Sequence, residues 1–213
     1  MQTHAKSDEK LTPELIYQLK RHGDTRTFHA HAIVINEGDS TDSLYVVLSG
    51  RLVVYSSSDS GREVVLAEYG PNEYFGELAL DGERRSASVR AVETSTCCIV
   101  QGPQLRALLD ELPGLATHLV YKLIGMVRSV TRQVTSLALQ DTYGRLARVL
   151  VSLSEPAGEE RILRHQLTQQ DLADRIASSR EMVNRLLKEL MAGGYVALRD
   201  GRYVICRKLP LHW

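Results

Sequence analysis

Short runs of β-branched and other apolar residues alternate with turn signals from Phe28 to about Val100. The runs are AIVINEGD, SLYVVLSGRLVVYSSS, EVVLAEYGP and SASVRAVETSTCCIV. Glycine and proline between the runs favour turns, because glycine reaches positive φ and proline fixes the bend. Short strands at such regular spacing predict a small antiparallel sandwich or barrel.

The period of the apolar positions changes in the middle of the chain. After Gly102 and Pro103 they recur about every three and a half residues, and the pattern continues to about Asp141, apart from Pro113-Gly114 and Gly125. We therefore predict one long helix in this part of the chain.

Two apolar stripes run along this predicted helix. The first has heptad spacing and comprises Leu119, Leu123, Met126, Val130, Gln133 and Leu137. A seam of this kind predicts a partner helix and hence a homodimer. The second stripe is expected to pack back on the β-domain and comprises Val120, Ile124, Val127 and Val134. The alternative is an amphipathic helix buried wholly within one chain, since three heptads are short for a coiled coil.

The last third of the chain has the pattern of mixed helices and strands. A helix is predicted from Thr142 to Leu153, followed by a loop of sequence SEPAGEER, two short helices and two strands. The strands VALR and YVIC flank Asp200-Gly201, a dipeptide that favours a tight type I′ hairpin.

Composition and charge narrow the function classes. The 213 residues carry no formal net charge, but residues 139–213 hold 12 Lys and Arg against 9 Asp and Glu, so this third is the candidate for phosphate contact. No run approaches a membrane span and the start is polar, so we expect a cytoplasmic protein without a membrane partner. Three cysteines, of which two are adjacent, support neither a disulfide framework nor a metal cluster.

The segment LTQQDLADRIASSREMVNRLLKEL has the layout of two helices joined by a tight turn. Thr168 is the expected cap of the first helix, with Asp171 completing a capping box. Ser178 is the expected cap of the second helix, with Glu181 reaching back toward its start. The apolar contacts between the helices are assigned to Leu172, Ile176, Val183 and Leu187.

Four polar residues share one face at the start of the second helix, namely Arg180, Glu181, Asn184 and Arg185. A helix-turn-helix inserts this end of its second helix into the major groove of DNA. Arginine can bond guanine O6 and N7, and glutamate can accept from cytosine N4. The alternative for such a pattern is a solvated charged face of a surface helix.

The whole chain resembles the CRP/FNR superfamily of bacterial transcription regulators, the cyclic-AMP receptor protein-like proteins. Their recognition helix carries S-R-E-x-V-x-R, which matches the stretch from Ser179 to Arg185. The resemblance implies double-stranded DNA with a TGTGA-like palindrome as partner, read by Arg180, Glu181 and Arg185. Phosphate contacts are implied for Thr168 and Ser179. We add Gln170, Ser178 and Asn184 to the DNA-binding set, and we expect RNA polymerase as a partner, by family analogy at the SEPAGEER loop.

The ligand pocket of that family is marked by F-G-E-L and R-S-A, and this chain has Phe75-Gly76-Glu77-Leu78 and then Arg84-Arg85-Ser86-Ala87. A cyclic phosphate needs a cation and N–H donors, and a ribose hydroxyl needs a carboxylate. The resemblance implies Arg85 and Ser86 on phosphate, Glu77 on ribose, and Gly76 for close backbone approach. Leu78 completes the expected set.

Two features leave the effector open. The loop LALDGER is short for a cyclic-AMP sensor, so either Arg84 or Arg85 occupies the phosphate position. Where such sensors present adjacent Thr-Ser hydroxyls to adenine, this chain has Val130 and Thr131. We favour cyclic AMP as effector, and the alternatives are cyclic di-GMP, another signal on the same scaffold, or DNA binding without a ligand.

By the same comparison we expect an α+β fold in three parts. Residues 1–102 form the sensor domain, an antiparallel β-roll of jelly-roll type with a short amino-terminal helix that has Thr12 as cap and Pro13 as first helical residue. Residues 103–141 form the dimerisation helix and hinge, and residues 142–213 a winged helix-turn-helix.

Other residues of the chain suggest alternatives to a nucleotide sensor. His29 and His31 alternate along a predicted strand and would suit a metal or haem pair, but no third ligand is evident, so no metal is expected. Cys97 and Cys98 lie at an apolar strand end and leave redox sensing as an alternative. A cyclic-nucleotide module acting on a protein partner is a third alternative. The sequence lacks a Walker lysine and any catalytic pattern, so we do not expect an enzyme.

Overall fold

The computed structural model describes residues 10–59 and 61–210, so the outer ends of the first and last predicted parts lie outside the described residues. The chain divides into two compact units. The first comprises residues 1–56 and 65–130, and the second comprises residues 57–64 and 131–213.

The first unit is built on two four-stranded sheets with strand orders β1-β8-β3-β6 and β2-β7-β4-β5. The strands are β1 (Asp24–Phe28), β2 (Ile33–Ile35), β3 (Leu44–Ser49), β4 (Leu52–Ser57), β5 (Glu63–Tyr69), β6 (Tyr74–Phe75), β7 (Ser88–Ala91) and β8 (Ser95–Val100). The helices are α1 (Pro13–Arg21), α2 (Gly102–Glu111) and α3 (Pro113–Leu139), and a 3₁₀ helix spans Glu77–Asp81. The predicted antiparallel β-domain is therefore confirmed.

Strand β3 is buried on both faces. Val46 belongs to a core cluster with Leu105 of α2 and Leu115 of α3, so these helices cover one face of the first sheet. Val47 belongs to a second cluster, with Leu52 of the other sheet. Because successive side chains of a strand point to opposite faces, one strand supplies both cores.

Helix α1 begins as the sequence predicts. The hydroxyl of Thr12 accepts a hydrogen bond from the N–H of Leu15 at 3.3 Å, and Pro13 is the first helical residue. The predicted position of His29 and His31 along one strand is wrong, however. Strand β1 ends at Phe28, and His29 and His31 lie in the following turn, where His31 has φ +68°. Among the described residues, no group of three or more His, Cys, Asp or Glu could hold a metal ion.

The single long helix predicted after Pro103 is also wrong in detail. Helix α2 ends at Glu111, Leu112 has φ −121° and ψ +82°, and α3 begins at Pro113. Proline lacks an N–H and disfavours helical geometry in the preceding residue, so the chain turns here. Helix α2 packs on the β-core, and α3 alone carries the heptad pattern.

The second stripe of α3 is exposed, and the first stripe is divided between the core and the surface. Leu119 is 7% exposed and belongs to the β-domain core, and Met126 is half-buried, so neither lies on an open seam. The stripe expected to pack back on the β-domain is exposed at Val120, Ile124, Val127 and Val134. Leu123, Val130 and Leu137 of the original seam are exposed with it, as is Gln133.

The second unit combines helices with one four-stranded sheet of order β11-β12-β10-β9. Its elements are α4 (Thr142–Ser152), β9 (Ser154–Ala157), β10 (Glu160–Leu163), α5 (Gln169–Arg175), α6 (Arg180–Ala192), β11 (Val196–Arg199) and β12 (Arg202–Ile205). One core cluster joins Leu146 and Leu150 of α4 to both following helices and to the strands.

The predicted SEPAGEER loop is a hairpin, formed by β9 and β10. The Arg161 guanidinium donates to the Ser154 hydroxyl at 2.8 Å and to the Ser154 carbonyl at 2.9 Å. Gly158 supplies the turn with φ +67°. These side-chain bonds hold together a segment whose composition has little strand propensity.

Among the described residues, no helix combines the length and the apolar character needed to cross a membrane.

Candidate ligand cavity and nucleic-acid interface

A cavity of about 70 Å³ lies in the first unit, beside the 3₁₀ helix. Its lining residues are Ile35, Val54, Tyr69, Phe75, Gly76, Glu77, Leu78, Ala79, Arg85, Ser86, Ala87, Val89 and Met126. The cavity therefore has apolar walls and one polar end, which is the usual composition of a small-molecule site.

Arg85 is the cation of this polar end. It is buried, and its guanidinium donates to the hydroxyl of Thr41 at 2.9 Å, the carbonyl of Gly76 at 3.0 Å and the carbonyl of Ser43 at 2.8 Å. Burial lowers the pKa of Arg85, but arginine stays charged at neutral pH. Three bonds thus fix a buried positive charge at the cavity, where an anion can meet it.

Gly76 precedes the 3₁₀ helix in a backbone conformation with φ +94°. A Cβ at this position would lie 2.7 Å from the carbonyl oxygen of Ser43 and 2.9 Å from Nη1 of Arg85. Both the positive φ and the missing space therefore require glycine. The close approach brings the backbone before Glu77 against the guanidinium.

Glu77 is buried and forms an ion pair with Lys122 of α3, with 3.0 Å between Oε2 and Nζ. Lys122 also donates to the carbonyl of Tyr74, and its Nζ lies 3.7 Å from the centroid of the Tyr74 ring. Burial, followed by the nearby Glu77, raises the pKa of Tyr74. Lys122 is not among the site residues predicted from the sequence. The signal was its position three residues after Leu119, on the inward face of α3.

The remaining predicted ligand residues are placed differently from one another. Ser86 is exposed and lines the cavity, and Leu78 is partly exposed beside it. Arg84 is exposed and donates to the carbonyl of Gly38 at 3.0 Å, so Arg85 is the arginine at the cavity. Of the two candidates for the phosphate position, only Arg85 lines this cavity, and its contact with phosphate stays a prediction.

Val130 and Thr131 do not fit their expected place at the cavity. Met126 is the α3 residue in the lining, and residues 130–135 are all exposed. The inward face of α3 runs through Leu115, Leu119 and Lys122 and ends near Met126, one turn before Val130.

In the second unit, α5 begins with the predicted capping box. The Thr168 hydroxyl accepts from the N–H of Asp171 at 3.1 Å, and the Asp171 carboxylate accepts from the N–H of Thr168 at 2.7 Å. A tight turn with Ala177 at φ +51° separates α5 from α6. Four buried residues pack the two helices together as expected, Leu172, Ile176, Val183 and Leu187.

Helix α6 is capped by Ser179, so the expected cap at Ser178 is wrong. The Ser179 hydroxyl accepts from the N–H of Met182 at 3.2 Å. The N–H of Ser178 instead donates to the carbonyl of Ala173 and closes the preceding helix. Ser178 and Ser179 are both candidate caps, because each has a residue three positions later whose N–H it could accept from. The backbone bond from Ser178 to Ala173 places Ser178 in the turn, so Ser179 becomes the cap.

The start of α6 presents charge to the solvent. Arg180, Glu181 and Arg185 are exposed, and so is the cap Ser179. A hydrogen bond from its own N–H, followed by one from the Ser179 hydroxyl, lowers the pKa of Glu181, so this carboxylate is available as an acceptor at neutral pH. This surface has the donors and acceptors that read base edges.

The other predicted DNA contacts have partners within the unit. Asn184 is half-buried and accepts from Nε2 of Gln169 at 3.1 Å, which ties α6 to α5. Gln170 is exposed and donates to Asp174 at 2.7 Å. Thr168 is exposed at the start of α5.

The hairpin of β11 and β12 turns at Asp200 and Gly201, with φ +50° and +74°. Positive φ at both central residues is the mark of the predicted type I′ turn. Gln166 donates to the carbonyl of Asp200 at 3.1 Å and holds the tip against the preceding loop.

Comparison with known proteins matches each half of the chain to a family. The family model of the cyclic nucleotide-binding domain matches residues 25–111, and that of the Crp-like helix-turn-helix domain matches residues 144–210. The cAMP-activated global transcriptional regulator CRP of Haemophilus influenzae is 30% identical over 178 residues, covering 79% of this chain and 78% of that protein. The chain belongs to the CRP/FNR family of transcription regulators.

Other CRP/FNR proteins extend the likeness. The cAMP-activated global transcriptional regulator Vfr of Pseudomonas aeruginosa is 28% identical over 91% of this chain and 95% of its own length. A solved structure of CLP, described as a c-di-GMP responsive global regulator in Xanthomonas campestris, superposes with a TM-score of 0.83. It shares 25% identity and covers 92% of this chain and 100% of its own.

The chain is thus a DNA-binding transcription regulator of the CRP/FNR type that carries a cyclic nucleotide-binding domain, and it is not an enzyme. Apart from Met126, the residues that line the cavity lie within the first matched domain, and the start of α6 lies within the second.

Proposed function

We propose that this CRP/FNR protein is a cytoplasmic homodimer whose DNA binding is switched by a cyclic nucleotide, with cyclic AMP the favoured effector. The observation that carries the proposal is the buried guanidinium of Arg85, held by three hydrogen bonds beside Gly76 at the polar end of the cavity. A fixed cation next to closely approaching backbone suits a cyclic phosphate. Ser86 supplies a hydroxyl and Glu77 an acceptor for ribose.

The size of the cavity supports a switch rather than a rigid site. Its volume of about 70 Å³ is below the roughly 300–1,000 Å³ typical of ligand pockets, so a nucleotide must widen it. A ligand that requires a rearranged cavity binds one conformation more tightly than the other. That difference in affinity is what shifts a conformational equilibrium.

The exposed face of α3 supports a dimer. Six of its exposed apolar positions follow 3, 4, 3, 4, 3 spacing, namely Val120, Leu123, Val127, Val130, Val134 and Leu137. Valine at every a position, with leucine at two of the three d positions, favours two parallel strands. Val127→Glu places a charge in this seam. We expect the variant to sediment as a monomer, while a dimer of unchanged stability would contradict the seam.

The start of α6 supports direct reading of a TGTGA-like half-site by Arg180, Glu181 and Arg185. Arg180→Ala should relax preference at one base position and cost about 1–3 kcal/mol of discrimination. A binding-site selection with Lys188→Ala as control tests this, since Lys188 is exposed further along α6. Unchanged base preference in Arg180→Ala would contradict the proposed docking. RNA polymerase is the further partner we propose, with the β9–β10 hairpin as its contact.

The deciding experiment is fluorescence anisotropy on a palindromic TGTGA-N6-TCACA duplex at fixed salt. Cyclic AMP, cyclic GMP and cyclic di-GMP are added separately, and cyclic di-GMP is included because CLP is described as c-di-GMP responsive. Tight binding with cyclic AMP alone supports the proposal. Tight binding with cyclic di-GMP alone changes the effector, and equal binding without any nucleotide removes the switch.

A further inference from the structure

Lys122 is buried where a lysine is seldom found. Its side chain is 5% exposed and that of its partner Glu77 is 4% exposed. The Nζ atom donates to the carbonyl of Tyr74 as well as to Glu77, and it lies 4.8 Å from the centroid of Tyr69, a ring that lines the cavity. Lysine is almost never fully buried unless it is paired, so this pairing is a specific feature of the chain.

The buried charges of the first unit do not cancel. Among its described residues, the buried acidic and basic side chains are Glu77, Arg85 and Lys122. One carboxylate faces two cations, which leaves one positive charge in excess. The carboxylates of Asp42 and Asp39 also oppose the effect of burial on the pKa of Arg85, but both are only half-buried, so solvent screens their charges, and Asp42 pairs with Arg106 at 2.7 Å.

An excess buried charge is costly unless a partner compensates it. Without Lys122, the charge of Glu77 would offset that of Arg85, and an anionic ligand would enter a site of no net charge. With Lys122, Glu77 is neutralised from the α3 side, and Arg85 keeps its charge for the ligand. A single phosphodiester charge then brings the buried set to zero.

We propose that Lys122 is a specificity-determining positioning residue, which neutralises and orients Glu77 so that the cavity selects a ligand with one negative charge. The proposal rests on the proposed function, because the ligand class is the cyclic nucleotide. Lys122 does not line the cavity itself and acts through two residues that do, Glu77 and Tyr69. Its position on α3, between Val120 and Leu123 of the exposed seam, also connects the charge of the cavity to the proposed dimer helix.

The test measures the affinity of purified full-length protein by isothermal titration calorimetry for three ligands that share the adenosine group. Cyclic AMP carries one negative charge, adenosine carries none, and AMP carries about two at neutral pH. Wild type should favour cyclic AMP over both. Lys122→Met should lose about tenfold or more in cyclic AMP affinity and change little toward adenosine, since only the anion depends on the excess charge.

Three further variants keep the outcome decisive. Lys122→Arg retains the charge and should keep the preference. Glu77→Gln combined with Lys122→Met restores one excess positive charge and should recover part of the preference for cyclic AMP over adenosine. Lys20→Met removes an equal charge from an exposed position of α1 and should behave as wild type. Denaturant unfolding of each variant identifies any that fail to fold.

The outcomes separate the two proposals. Equal losses for cyclic AMP and adenosine in Lys122→Met would mean that Lys122 serves structure alone, and this inference falls while the proposed function stands. Unchanged cyclic AMP affinity in that variant has the same consequence. If wild type binds no cyclic nucleotide, the proposed function and this inference both fall.

Discussion

Leu119 and Val120 are neighbours on α3 and lie in opposite environments, since Leu119 is 7% exposed and Val120 is 55% exposed. Leu119 packs with the core of the β-domain, whereas Val120 opens the exposed seam. One step along a helix turns the side chain by about 100°, which suffices to separate a core position from a surface position.

Leu119→Ala should lower the free energy of unfolding by about 2–5 kcal/mol, because it leaves a cavity in the core. Val120→Ala removes an exposed side chain and should instead alter self-association. Urea unfolding at several protein concentrations distinguishes the two. A concentration-independent loss is expected for Leu119→Ala, and a loss confined to dilute samples for Val120→Ala. The reverse pattern would indicate that Leu119, and not Val120, lies in the dimer seam.

Arg85→Ala should destabilise the first unit as well as abolish nucleotide binding. The substitution removes the donor that meets the carbonyls of Gly76 and Ser43, and each buried acceptor left unpaired costs about 1–3 kcal/mol. Arg84→Ala is the matched control, since Arg84 is exposed and makes one bond to Gly38. Thermal unfolding and calorimetric titration check both effects. If the two variants lost the same stability and the same nucleotide affinity, the assignment of Arg85 as the cavity arginine would be wrong.

Ser179→Ala should lower stability by about 0.5–2 kcal/mol, because the N–H of Met182 loses its capping acceptor. Ser178→Ala should have a smaller effect, since its contact with Ala173 uses the backbone. Guanidinium unfolding of the two variants side by side measures the difference. A larger loss for Ser178→Ala would show that the helix begins one residue earlier.

The thiols should resist modification in the folded protein. Burial, followed by the neighbouring Cys98, raises the pKa of Cys97 to about 12, and burial also raises the pKa of Cys98. At pH 8 only about one Cys97 in ten thousand is then the reactive thiolate, and the fraction rises with pH. Maleimide labelling followed by mass spectrometry should modify the half-buried Cys206 first.

A Cys206→Ser variant is the control for this experiment, and it should remove most labelling of the folded protein. Denaturant should expose all three thiols of wild type. Rapid labelling of Cys97 at neutral pH in the folded state would revive the redox alternative, because a sensing cysteine must be an accessible thiolate.

Local signals account for the parts of the fold that the sequence predicts well. The capping box of Thr168 and Asp171, the cap at Thr12 and the turn at Asp200 each depend on residues within a few positions of one another. Such patterns are legible in one sequence, since the same few residues determine the geometry. The buried helix contacts follow from the period of three to four residues.

Features that depend on distant partners were missed. Glu77 and Lys122 are 45 positions apart in the chain, and nothing near either residue indicates the other. The weak strand propensity of the β9–β10 segment is overcome by a distant partner as well, because β10 also pairs with β12, Arg161 with Ile205 and Ile162 with Val204. The wrong placement of the second α3 stripe, and of Leu119 in the first, has the same origin, because periodicity marks both stripes as apolar and only packing decides which positions face inward.

Gly76 has a consequence for how this protein can change over generations. Any side chain there collides with the carbonyl oxygen of Ser43, just before β3, and with the guanidinium of Arg85. A substitution at codon 76 therefore injures folding and anion binding together and is removed by selection on either count. A lineage that loses effector binding but keeps a folded regulator must change replaceable positions such as Ser86. Gly76 would remain in such a protein after its ligand response is lost.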